Sequence, residues 1–219
     1  MPVARSHTAP FINIKYETKS DLRKTESALA KLDMGPNGNR LMYELSQLSR
    51  NGKTLTIVAN PNTTTGATPT LTKSQLKRYG VSDSEYDIKH NQTAKKLAQK
   101  KRFGLKGEGT SAIVRWNPSL AVNVTNEGLH VVVNDEAQSF ISLGHELIHA
   151  YRMMKGTYTG DHSDRYTPGT RSYQEEQRAL GIGIHAKRSF SENSLRSEHS
   201  MNLRAKYIID DNRSVIGRA

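Results

Sequence analysis

The chain has 219 residues, of which 35% are hydrophobic and 24% charged, and its 32 Lys and Arg against 21 Asp and Glu leave a formal charge of +11. That composition describes one domain with a modest core and long solvated segments, and no apolar stretch approaches a membrane span. Met1 to Ile14 has no apolar core of signal-peptide type, so ordinary secretory export is excluded along with a membrane protein. Zero cysteines remove disulfides, thiolate zinc sites and thiol catalysis, which leaves any metal to His, Asp or Glu.

A pI near 9.8 invites nucleic acid as a partner. The basic residues are scattered, however, with local density at Lys95 to Lys106, and no interleaved aromatics mark a base-stacking platform. Nucleic acid is therefore disfavoured, and a solvated surface or an acidic protein partner is the better reading.

In chain order, residues 1–20 read as a flexible leader that serves as a secretion signal, and residues 21–219 as a single domain. Asp21 to Leu32 and Arg40 to Ser49 carry apolar residues at helical spacing around Gly35-Pro36-Asn37-Gly38, which predicts a helical hairpin. Thr54 to Ala59 reads as a strand, Asn60 to Thr70 as a loop, and Lys73 to Lys101 as a mobile excursion or a loosely attached helix pair. Thr110 to Trp116 and Leu129 to Val133 read as further strands. From Glu136 the period changes, with Phe140, Leu143, Leu147, Ile148, Tyr151 and Met154 at three- and four-residue spacing before Gly156, a strong helix signal. Another helix is expected near Ser172 and a last one near Leu195 to Ile209.

Inside the strong helix stands His145-Glu146-Leu147-Ile148-His149. Histidines at i and i+4 lie one turn apart on one face, so both imidazoles reach a single Zn²⁺, while Glu146 can face a water polarised by it. Such a site hydrolyses amide bonds: the ion lowers the pKa of water and Glu146 shuttles its proton to the leaving amine. The bland alternative is a surface helix with two exposed histidines.

The third ligand decides the class. Tyr151 to Thr157 contains no His and Gly156 is out of place for the metzincin extension, which makes His162 a poor ligand. A Glu from a second helix is the other solution, and Glu175 and Glu176 are both available. Glu176 is preferred because Ala179, three residues on, lets two helices approach; Glu175 is the alternative, with Asp161 and Asp164 behind it. Oxyanion stabilisers come from Tyr166, Tyr173, Arg178 and His185, which spacing does not separate. An extended substrate would pair with a sheet edge, and Thr110 to Trp116 is assigned to that edge, with an internal strand as the alternative.

At His145-Glu-Leu-Ile-His-Ala-Tyr-Arg and Glu175-Glu176-Gln-Arg-Ala-Leu-Gly181 the sequence resembles the NleD family of type III secreted zinc metalloprotease effectors. Its tail, Glu192-Asn-Ser-Leu-Arg196-Ser-Glu198 and Arg204-Ala-Lys-Tyr207, is similar to the Glu-Asn-x-x-Arg-x-Glu and Arg-x-x-Tyr pattern of related toxin domains. The resemblance covers Gly109 to Tyr207 best. It implies an α+β zincin-like domain, a small sheet packed on the motif helix with an N-terminal helical hairpin. It further implies one Zn²⁺ held by His145, His149 and Glu176, with Glu146 as base, and a monomer injected into the host cell cytoplasm. There it would cleave stress-activated mitogen-activated protein kinases in the activation loop. Lys100-Lys101-Arg102-Phe103-Gly104-Leu105 has the basic and apolar-x-apolar form that docks such kinases. The alternatives are a non-catalytic basic binding module for nucleic acid or an acidic protein, and a metalloprotease toxin with bacterial targets.

Overall fold

The computed structural model describes residues 1–161 and 163–207. Its centre is a five-stranded mixed sheet in the order β1 (Val3–Arg5), β2 (Ile12–Tyr16), β3 (Leu55–Ala59), β5 (Ser111–Trp116) and β4 (Gly66–Thr70). The three inner strands run parallel, with Ile12 opposite Leu55 and Leu55 opposite Ala112, and both outer strands run antiparallel to their neighbours. Alternation sends Ile12, Ile14, Leu55, Ile57, Ala112, Val114 and Trp116 to one fully buried face. Against that face pack the hairpin α1 (Lys19–Met34) and α2 (Pro36–Ser49) and the motif helix α5 (Ser139–Lys155). This is an α+β domain built on its motif helix, as expected.

Local chemistry sets the helix ends. Thr18 and Asp21 form a capping box at the start of α1, and Pro36 occupies the first turn of α2, where a missing N–H costs nothing. Helix α5 stops at Gly156, whose φ of 72° favours glycine. Gly144, directly before the motif, lets α1 and α7 (Glu192–Glu198) close onto α5: a Cβ there would stand 2.6 Å from Leu195 Cδ1 and 2.9 Å from Leu32 Cδ2.

Several expectations change. Residues 1–20 are not a flexible leader, because β1 and β2 belong to the central sheet and Ile12 and Ile14 are wholly buried. The stretch expected as a loop at Asn60 to Thr70 is a loop only to Thr65; Gly66–Thr70 forms β4, an edge position that tolerates Pro69. Strand β5 is therefore internal, and the edge role assigned to Thr110 to Trp116 passes to β4. The polar stretch from Lys73 holds a helix pair, α3 (Lys73–Tyr79) and α4 (Ile88–Ala98). It is anchored by buried His90, whose Nε2 lies 3.0 Å from Thr70 Oγ1, and by fully buried Ala94 and Ala98. A ribbon of β6 (Leu120–Val124) and β7 (His130–Asn134) stands apart from the main sheet, and β6 has no counterpart in the sequence reading. The last helix, α7, begins and ends earlier than expected; the end of that expectation, residues 208 and 209, lies outside the described residues, as does His162.

Candidate active site

Helix α5 buries Leu143, Leu147, Ile148 and Met154 in the core, which turns His145, Glu146 and Ser142 toward a cavity of about 390 Å³. Helix α6 (Arg171–Leu180) crosses in front of it, started by a cap from Thr170 and pressed close through the fully buried Ala179. That approach brings Glu176 onto the two histidines. Nε2 of His145 and Nε2 of His149 are 3.1 Å apart, and Glu176 Oε2 is 3.3 Å from each. Ligands about 2.0–2.2 Å from a tetrahedral zinc are separated by about 3.3–3.6 Å, so the three donors already stand close to the corner spacing a metal ion requires. His145, His149 and Glu176 are the group able to hold a metal among the described residues.

Glu175 points elsewhere. Arg152 Nη2 donates to its Oε2 at 2.7 Å, Arg152 Nε contacts Oε1, and the Thr159 N–H donates at 3.0 Å. Its Oε1 stands 3.7 Å behind His149 Nδ1, an ion-pair separation and too long for a hydrogen bond. The geometry thus divides two neighbouring glutamates between the metal face and the back of a histidine.

His145 has its own backing carboxylate. Glu192 Oε2 lies 2.9 Å from His145 Nδ1, which fixes the ring with Nε2 toward the donor cluster. Glu192 is in turn held by Arg196 Nε at 2.8 Å and by Arg204 Nη1 at 3.4 Å, all three side chains being buried. Glu198 accepts from the N–H groups of Asn37 and Gly38 at 2.7 and 3.0 Å and caps α2. These contacts give the Glu192, Arg196, Glu198 and Arg204 pattern its physical content.

The charges follow the packing. Burial opposes ionisation of His149, yet Glu176 and Glu175 override it and push the imidazole up to about 10; His145 is raised to about 9 by Glu176 and Glu192, again against burial. Glu192 is held well below the usual carboxylate range, the Arg204 charge and the His145 bond overcoming its burial. Burial pushes the Glu146 carboxyl up, while the two histidines pull the other way.

The cavity beside the motif is also lined by Thr63 to Thr65, by Leu120, Val122 and Val132 of the ribbon, and by Arg165, Arg204 and Tyr207. Of the four expected oxyanion groups, none lines it. Tyr166 and Tyr173 stand beside Tyr207, each ring 5.9 Å from its ring. Arg178 lines a separate cavity with Arg40, Ile148 and Arg188, and His185 lies in the turn after α6 among the charges of Arg188, Arg178 and Arg152. Those two expectations are corrected: the short run of α6 that aims Glu176 inward turns Arg178 outward. Tyr207 and Arg165 take the cavity positions instead, with Arg165 Nη1 3.8 Å from Glu176 Oε1. Tyr207 could be found through its Arg-x-x-Tyr spacing; Arg165 sits in a polar loop with no signal.

Segment Lys100 to Leu105 forms a turn on the surface, closed by the Lys101 N–H donating to Leu105 O at 2.8 Å. Phe103 is 99% exposed and Leu105 64%; the Arg102 side chain lies outside the described residues.

Residues 12–207 match the Peptidase_M91 family, described as effector protein. The chain belongs to this family. The family is by its name one of peptidases, and within the described residues of this chain the group able to hold a metal is His145, His149 and Glu176. No curated protein matches it. Among solved structures it is similar to the catalytic domain of Clostridium botulinum neurotoxin serotype F, with a TM-score of 0.46 and 15% identity over 86% of this chain and 58% of that one. A second structure, the light chain of the same serotype, gives a TM-score of 0.43 and 17% identity over 74% of this chain and 43% of that one. The chain thus spans less than two thirds of either neighbour. No helix among the described residues is long and apolar enough to cross a membrane.

Proposed function

We propose that this Peptidase_M91 effector is a zinc endopeptidase in which His145, His149 and Glu176 hold one Zn²⁺ and Glu146 is the catalytic base. The observation that carries the reading is the convergence of three donor atoms at 3.1 to 3.3 Å, with Glu146 beside them in the same cavity. The ion, when bound, polarises the scissile carbonyl and makes water acidic enough to react near neutral pH. Glu146 takes up the proton of the attacking water and returns it to the leaving amine. Tyr207 and Arg165, which line the cavity, donate to the carbonyl oxygen as charge develops on it. Substrate lies extended along β4, whose outer edge is unpaired in the sheet order and whose preceding loop, Thr63 to Thr65, lines the cavity.

The finer reading is a monomeric effector, exported by a type III system into the host cytoplasm, that cuts stress-activated mitogen-activated protein kinases in the activation loop. The export signal would reside in residues 1–20, read from the unfolded chain. Lys100, Lys101, Arg102, Phe103 and Leu105 would dock the kinase; the exposure of Phe103 and Leu105 supports this, since both apolar side chains are presented to solvent beside the lysines.

The test is exposure of host-cell lysate to the wild-type protein and to Glu146→Ala, with new protein termini mapped and zinc measured in both. Equimolar zinc in both and cleavage only by the wild type are expected. Cleavage that persists in Glu146→Ala would refute the role given to Glu146, and absence of zinc from the wild type would refute the metal site.

A further inference from the structure

One wall of the catalytic cavity has no part in hydrolysis. Val122 and Val132 are cross-strand partners in the β6–β7 ribbon, and Leu120, two residues before Val122, shares their face. All three line the cavity that contains His145, Glu146 and Glu176. Val132 is 63% exposed, so the described residues leave most of it open to solvent. The ribbon is also firmly held: Arg196 Nη2 donates to Val122 O at 2.6 Å, Asn202 Nδ2 to Val124 O at 2.9 Å, and the Ala205 N–H to Gly128 O at 3.0 Å. An aliphatic surface preorganised in this way gains most from an apolar group that displaces its water, because little further ordering is needed. The same cavity also carries Arg165, Arg204 and Tyr207, which are cationic and phenolic. A peptide crossing Glu146 therefore meets an aliphatic surface as well as cationic and phenolic groups.

We propose that the β6–β7 ribbon forms a specificity subsite for an apolar substrate side chain next to the scissile bond, with Val132 as its discriminating residue. The inference rests on the cavity being the peptidase cleft. A charged side chain at this place would lose hydration against Leu120, Val122 and Val132 without gaining a partner from them.

The test uses the zinc-loaded protein and two dipeptide hydroxamates that differ only in carrying Leu or Asp beside the chelating group. The Leu probe should bind at least about tenfold more tightly, as expected for an apolar pocket choosing between such side chains. Val132→Lys, at an exposed position that leaves the fold intact, should abolish or reverse the preference with zinc content unchanged, and Leu120→Thr should reduce it. Equal affinity of the two probes for the zinc-loaded wild type, or an unchanged preference in both variants, would overturn the subsite. A wild-type protein that takes up no zinc would instead overturn the peptidase reading on which the subsite depends, and metal analysis of the same sample tells the two failures apart.

Discussion

Glu192 touches no metal donor atom of the cluster, yet its removal should be felt in two separate measurements. Its Oε2 receives His145 Nδ1 at 2.9 Å, while its Oε1 accepts from Arg196 Nε at 2.8 Å and Arg204 stands at 3.4 Å. Glu192→Gln keeps the volume but removes the charge. The histidine loses an anionic partner that orients it and raises its basicity, which in comparable sites costs about 10 to 100-fold in metal affinity, or about 1.4 to 2.7 kcal/mol. Two buried guanidinium groups simultaneously lose their shared counter-charge. Breaking a buried pair costs about 3 to 5 kcal/mol. Here the lower end is expected, because Arg196 keeps its bond to Val122 O and Arg204 Nη2 keeps one to Tyr207 O at 3.3 Å. Chelator competition would report the first effect and urea unfolding of the metal-free protein the second. The reasoning is refuted if folded Glu192→Gln holds zinc within about twofold of the wild type, since an oriented imidazole would then need no carboxylate behind it.

Three further outcomes follow from other contacts. His130 is lowered from 6.5 to about 4 by burial and by the Arg204 charge, so the unfolded chain takes up a proton before the native one does. Its contribution to stability is complete above pH 6.5 and is lost as the pH falls toward 4; urea midpoints across that window should fall less steeply in His130→Phe than in the wild type. Glu198→Ala removes the acceptor for the Asn37 and Gly38 N–H groups and should cost about 1 kcal/mol in chemical denaturation. Charge reversal of Lys100, Lys101 and Arg102 should slow cleavage of intact kinase while sparing an activation-loop peptide, and an equal loss on both substrates would remove the docking role.

Much of the architecture could be read from the chain because it rests on short-range rules. The helical hairpin, the motif helix with its Gly156 stop and the inner strands at Thr54 to Ala59 and Thr110 to Trp116 all announce themselves through period and capping. What escaped notice was decided by partners far away in sequence. Ile12 and Ile14 alternate as a strand should, yet only β3, more than 40 residues on, makes them core. Gly66 to Thr70 has poor strand propensity and becomes β4 because β5 supplies its ladder. Arg165 reached the cavity from a loop without any periodic signal.

The absence of cysteine alone determined that any metal here must be held by His and carboxylate, and the spacing of His145, Glu146 and His149 determined which face of which helix would carry it. Local geometry suffices for that, since residues i and i+4 on one helix are neighbours in any fold. The choice between Glu175 and Glu176, the backing of His145 by Glu192, the exclusion of Arg178 and His185 from the cavity and the aliphatic wall beside Glu146 belong to the tertiary structure. Each depends on how α6, α7 and the β6–β7 ribbon are turned against α5, and that rotation is set by packing around Ala179, Gly144 and Leu195.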